Sequence, residues 1–164
     1  MNPMFVGDSY DIVKRFFVGE LRTLGYSVKF DGCYTGDWRP DEKQRFLKLI
    51  SMDMPSVTTN RRALFLDPDT GVREKRGPKH VTFDRIAEET KKHELVVAFD
   101  QSFSYGCNYA EAIADKSKKM KERNCHSMFY DSHARFLFAS GKASSIRKLR
   151  QHLISLGLPR ARLH

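Results

Sequence analysis

The chain has 164 residues, with 29 Lys and Arg against 20 Asp and Glu, and is 40% hydrophobic and 12% aromatic. This length suits a single domain over residues 1–164, and the hydrophobic content excludes a disordered or low-complexity chain. No apolar run approaches the roughly 20 residues needed to cross a bilayer. The opening residues 1–8 have neither a basic n-region nor a long apolar h-region, so secretion is not expected. Three cysteines (Cys33, Cys107, Cys125) form no paired short spacing, which points to reduced thiols in a cytoplasmic protein.

Helix and strand patterns alternate along the chain. Asp8 or Ser9 is placed to cap a helix beginning near Tyr10, with Asp11 in its first turn. Val13, Phe16, Phe17, Glu20, Leu21 and Leu24 follow at helical spacing, and Gly25 stops the helix. Residues 26–30 alternate like a strand and run into the turn pair Asp31-Gly32. A loop follows, then a short helix from about Asp41 to Met52 and an irregular stretch from Pro55 to Asn60. Ala63-Leu64-Phe65-Leu66 is a continuous apolar run, as expected of a strand buried on both faces.

Thr82 is placed to cap a helix through Lys92, and residues 95–99 form a second buried-strand run that ends at Asp100. Asn108, with Glu111 three residues later, reads as a capping box for a helix reaching about Arg123. Residues 127–130 and 134–139 flank Asp131-Ser132-His133 as a hairpin. A last helix starts near Ser144 or Ser145, carries Ile146, Leu149, Leu153 and Leu156, and stops at Gly157. This order predicts an α/β fold of three layers. It has a mainly parallel sheet, helices on both faces and an antiparallel edge strand from the C-terminal hairpin.

The excess positive charge is localised. Residues 142–164 hold six Lys and Arg and no acidic residue, and residues 73–80 and 116–123 add two more basic clusters. A nucleic acid or other polyanion is the partner such clusters attract, and a solvated surface is the plain alternative.

Four aspartates, Asp31, Asp67, Asp100 and Asp131, each follow a predicted strand, and Asp69 lies close behind Asp67. In an open parallel sheet the carboxyl ends of the strands share one edge, where ligands bind. Asp67-Pro68-Asp69-Thr70-Gly71 is the sharpest segment. Pro68 favours an extended Asp67, which would hold the carboxylates at the sheet edge, suited to an amino group or a hydrated cation. A plain type I turn explains the same letters. Between Asp31 and Asp37, Gly32 and Gly36 would let backbone approach a small ligand, without the dinucleotide fingerprint. Asp131, Ser132, His133 and Arg135 read as a polar turn or substrate contact. Neighbouring residues in a turn rarely form a catalytic relay.

Three short motifs, in this order, resemble bacterial 23S ribosomal RNA adenine-N6 methyltransferases. They also resemble a group of uncharacterised bacterial proteins with a Leu-Asp-Pro-Asp-x-Gly segment. The motifs are Asp11-Ile12-Val13-Lys14, the loop from Phe30 to Asp37, and Leu66-Asp67-Pro68-Asp69. The resemblance implies a Rossmann-like fold and S-adenosylmethionine as cofactor. Asp11, Lys14, Asp31, Gly32, Gly36 and Asp37 would lie on the cofactor side, and the family's catalytic motif is matched at Asp67 and Pro68; Asp69 and Asp100 join the catalytic set from their places after strands. Asp69 stands where the family has a second proline, and Thr70 where it has the aromatic residue that stacks on a flipped base. Only about thirty residues, from Asp37 to Asp67, occupy an interval that in the family holds two further strands.

Three functions therefore stand as expectations. The first is a methyltransferase-like, nucleic-acid-associated protein. The second is a Mg²⁺-dependent phosphodiester or phosphate-ester hydrolase with Asp31, Asp67, Asp69 and Asp100 around the ion. The third is a non-catalytic polyanion-binding module.

Overall fold

The computed structural model describes residues 2–54, 59–104 and 106–164. Residues 55–58 of the stretch expected to be irregular lie outside them. Asp8 opens helix α1 (Ser9–Thr23), its carboxylate accepting from the N–H groups of Tyr10 and Asp11. Gly25, in the left-handed region, ends it. The following elements are β1 (Ser27–Asp31), α2 (Pro40–Leu49), β2 (Arg62–Leu66), β3 (Gly71–Arg73), β4 (His80–Thr82), α3 (Phe83–Glu89) and β5 (Leu95–Phe99). The chain continues through α4 (Tyr109–Glu122), β6 (His126–Tyr130), β7 (Phe136–Ser140) and α5 (Ala143–Ser155). Thr82 caps α3, and Asn108 caps α4 while bonding Glu111.

The main sheet has the order β1-β2-β5-β7-β6. Its β1, β2 and β5 are parallel, and the β6–β7 hairpin forms the antiparallel side. Alternate residues of the strands face two apolar clusters. Phe65, Val97, Phe136 and Phe138 meet Phe17 and Leu21 of α1 and Leu149 and Leu153 of α5. Leu66, Val96, Phe129 and Leu137 meet Phe83 and Ile86 of α3 and Ile113 and Met120 of α4. The sheet is thus covered on both faces, and each fully buried Leu or Phe contributes about 1.5–3 kcal/mol. A third cluster joins Trp38 to Phe46 and Ile50 beside Phe30.

Several helix positions differ from the pattern read in the sequence. Phe16 and Leu156 reach solvent, and Glu20 crosses to His152 of α5 at 2.7 Å. The short parallel pair β3–β4 has no counterpart in the sequence reading, because three residues are too few to show a period. Gly71, at φ +119°, lets this pair approach β5. A Cβ there would collide with the Asp100 carboxylate and lie 2.8 Å from the Gln101 nitrogen.

Register settles which strand ends meet. Asp31 pairs with Leu66, Leu66 with Ala98, Phe99 with Phe136, and Tyr130 with Phe136. Asp31, Asp67, Asp100 and Asp131 therefore lie along one edge, with the Asp67 N–H donating to the Asp31 carbonyl at 2.9 Å. Residues 162–164 pair outside the far half of β6. His164 exchanges two 2.9 Å bonds with Phe129, and Asp131 N–H donates to Arg162.

The opposite edge is closed by a polar clasp. Arg61 bonds the Glu94 carboxylate, the Tyr26 hydroxyl and the Leu24 carbonyl, while the Ser145 hydroxyl donates to Glu94. The Arg61 bond dominates and holds the Glu94 carboxyl down at about 2, against an ordinary 4.5. A depressed carboxyl stabilises the fold above its unfolded value, and that contribution is lost as pH falls toward the folded value. The melting temperature is expected to fall between pH 5 and pH 2, and Glu94→Gln to flatten that fall while lowering stability at pH 7. An unchanged acid limb in Glu94→Gln would remove the clasp from the account of acid stability.

Candidate functional site

Lys14 sits on the inward stripe of α1, three residues after Asp11 and three before Phe17. Its ammonium lies 3.0 Å from Asp11 Oδ1 and 2.9 Å from Asp67 Oδ2, with the Phe99 ring 4.8 Å away. Asp11 Oδ2 also accepts from the Gly7 N–H at 2.8 Å. Asp67, immediately after β2, is fully buried. Its contact with Lys14 is an ion pair without hydrogen-bond alignment, and among the described residues no donor bonds either carboxylate oxygen. Burial pushes the Asp67 carboxyl up to about 6, against the pull of Lys14. Burial alone would lower Lys14, but Asp67 and Asp11 outweigh it and raise the ammonium above its ordinary value.

A cavity of about 210 Å³ opens at this pair, walled by Tyr10, Phe99, Pro68, Asp69 and Gln101, with Asn2 and Phe5 also lining it. Tyr10 stacks on His133, ring centroids 4.6 Å apart, and meets Phe99 edge-on at 5.3 Å. Asp69 accepts from the Thr35 hydroxyl at 3.2 Å and lies 3.9 Å from Lys79.

The other strand-end aspartates share the edge but do not line that cavity. Asp31 is held by Arg85 at 2.5 Å and by the Cys33 N–H at 3.0 Å. Burial pulls the Asp31 carboxyl upward, and these two donors outweigh it to hold it below the ordinary range. A separate cavity of about 710 Å³ is lined by Tyr34, Arg76, His80 and Arg85.

Asp100 is internal and saturated. It accepts from Val72 N–H, Ser102 N–H, the Ser102 hydroxyl and Lys116, the last at 2.6 Å. Lys116 also donates to the Val72 carbonyl, so this cluster fastens β3 to β5 and α4. Burial lowers the Lys116 ammonium against the pull of Asp100. Lys116, grouped with the basic surface in the sequence, is therefore a buried anchor.

Asp131 pairs with Arg135 at 3.0 Å, and Arg135 packs 4.3 Å over the Tyr109 ring. The Ser132 hydroxyl closes its own turn on Ala134, and His133 contacts Ser9 at 3.4 Å. Ser132 and His133 thus make no relay.

Comparison with family models, with curated proteins and with solved structures found no match.

The glycine loop does not fit S-adenosylmethionine. The bare face of Gly32 is covered by the Tyr34 ring, Asp31 is taken up by Arg85, and Asp37 is exposed. Among the described residues the interval between β1 and β2 holds α2, and β1 is the outermost strand beside β2. The carboxylates also do not fit a shared Mg²⁺, because each faces a different cation. Asp31 faces Arg85, Asp67 Lys14, Asp100 Lys116 and Asp131 Arg135.

The sequence reading missed Tyr10, Phe99 and Arg85. Only Phe99, the last apolar residue before a strand-end aspartate, carried a positional signal. Replacing Lys14 with Met leaves Asp67 buried without its cation, an expected loss of about 3–5 kcal/mol in urea unfolding at pH 8. A carboxyl raised from 3.8 to about 6 penalises the fold fully above the folded value, and the penalty fades as pH falls toward the unfolded value. The loss is therefore expected to shrink at pH 5. Equal losses at both pH values would mean that Asp67 is not the charge Lys14 compensates.

Proposed function

We propose that this chain is a Rossmann-like, nucleic-acid-associated protein of methyltransferase type that uses the Asp67 cavity to recognise the amino group of an unstacked base. It does so as a binding module rather than by methyl transfer. The observation that carries this reading is the Asp67 carboxylate, buried at a ring-lined cavity with an oxygen that no described donor bonds. An ionised carboxylate only accepts, so its complement is an N–H donor such as an exocyclic amine. Tyr10 and Phe99 supply ring faces and edges for a planar ligand. Arg76, which lines the larger cavity, supplies charge for a phosphate. The parallel strands, with Asp67-Pro68 at the carboxyl end of β2, support a site at the strand edge, as the resemblance implies.

Labelled oligonucleotides test the reading by fluorescence anisotropy. Oligo-dA or oligo-dC, which carry exocyclic amines, are expected to bind about fivefold or more tightly than oligo-dT, a hydrogen bond's worth of free energy. Asp67→Asn, which adds a donor in place of an acceptor, is expected to erase that preference. Equal binding of all three by the unaltered protein overturns the reading. In calorimetry, micromolar S-adenosylmethionine binding lost on Asp31→Ala would restore the methyl-transfer function, and Mg²⁺ binding lost on Asp67→Asn would favour the hydrolase.

A further inference from the structure

At the end of the sheet away from Asp67, β6 begins between the last turn of α4 and the first turns of α5. A groove of about 830 Å³ lies there, lined by Lys121 of α4, His126 and Ser127 of β6, and Arg147 and Arg150 of α5. None of its lining residues is acidic. Several cations elsewhere are matched to carboxylates: Lys14 to Asp67, Lys116 to Asp100, Arg85 to Asp31, Arg123 to Glu74 and Asp84. Among the described residues, Lys121, Arg147 and Arg150 take part in no such pair. Arg150 is instead oriented by two bonds to the Leu163 carbonyl, at 3.3 and 3.2 Å.

We infer that this groove holds the phosphodiester backbone of a single nucleic-acid strand, without reading its bases. The inference rests on the nucleic-acid part of the function proposed above, but uses none of the residues of the Asp67 cavity. Its cations come from two helices, Lys121 from α4 and Arg147 and Arg150 from α5, which suits a line of phosphates better than one small anion. Among the described residues no Phe, Tyr or Trp lines the groove and His126 is its one ring, so successive bases have no row of rings to stack on and the contact falls mainly on the backbone. An acidic peptide adding as a strand would need the outer edge of β6, and residues 162–164 already occupy the far half of it.

Fluorescence anisotropy with labelled oligo-dT tests the groove separately, because thymine has no exocyclic amine for Asp67. The double variant Lys121→Glu/Arg147→Glu changes two exposed side chains, and an unchanged melting temperature shows that it folds. It is expected to bind oligo-dT at least tenfold more weakly, with a salt slope shallower by about 1.4, the value for two lost phosphate contacts on a single strand. Asp67→Asn is expected to leave oligo-dT binding unchanged. Unaltered affinity and slope in the double variant overturn the groove alone and leave the base-recognition reading standing. Absence of oligo-dT binding by the unaltered protein at low salt overturns the groove, and absence of oligo-dA and oligo-dC binding as well overturns both. Binding of polyglutamate as tight as that of oligo-dT overturns the groove as a nucleic-acid site and assigns it to an acidic peptide.

Discussion

Burial of charge at the carboxyl ends of β2 and β5 is the constraint around which this fold is arranged. Asp67 and Asp100 are withdrawn from water altogether, and a carboxylate in that position is tolerable only beside a cation. Helix α1 supplies Lys14 from one face of the sheet, and α4 supplies Lys116 from the other. Each helix is therefore held to the sheet by an ion pair as well as by apolar packing, and the two pairs fix the helices along their axes. The two sites differ in completeness. Asp100 is surrounded by donors and knits three segments together, whereas Asp67 has Lys14 and a cavity. A saturated carboxylate stabilises a fold, and an incompletely bonded one beside open space is suited to a ligand.

Much of this arrangement is legible in the sequence because it depends on period and position. The apolar runs 63–66 and 95–99 announce strands covered on both faces, and aspartates directly after them announce a polar edge. Lys14 and Lys116 are also legible in part. Each falls on the apolar stripe of its helix, Lys14 three residues before Phe17 and Lys116 three after Ile113. A lysine in such a register points inward and needs an acceptor there.

What the sequence does not disclose is pairing across distance. Nothing near Asp31 names Arg85, fifty-four residues away, as its partner. Nothing in Gly71 by itself says that β3 must pass close to Asp100. The expectation of one shared carboxylate cluster fails on this point. The strands bring the acids to a common edge, but the surrounding elements deliver cations one by one, and each acid turns to its own. Strand-end position and side-chain convergence are separate matters, and only the first is written in local pattern.

The short strip formed by residues 162–164 against β6 has a consequence for how the molecule meets its own copies. An uncovered outermost strand offers its unbonded amides and carbonyls as a template for another chain, the usual start of ordered aggregation. Here that template is filled where Phe129 and Asp131 meet the strip, and the remaining half is flanked by like positive charges that repel a second molecule. The strip thus withdraws the Phe129–Asp131 part of the β6 edge from pairing with a further strand.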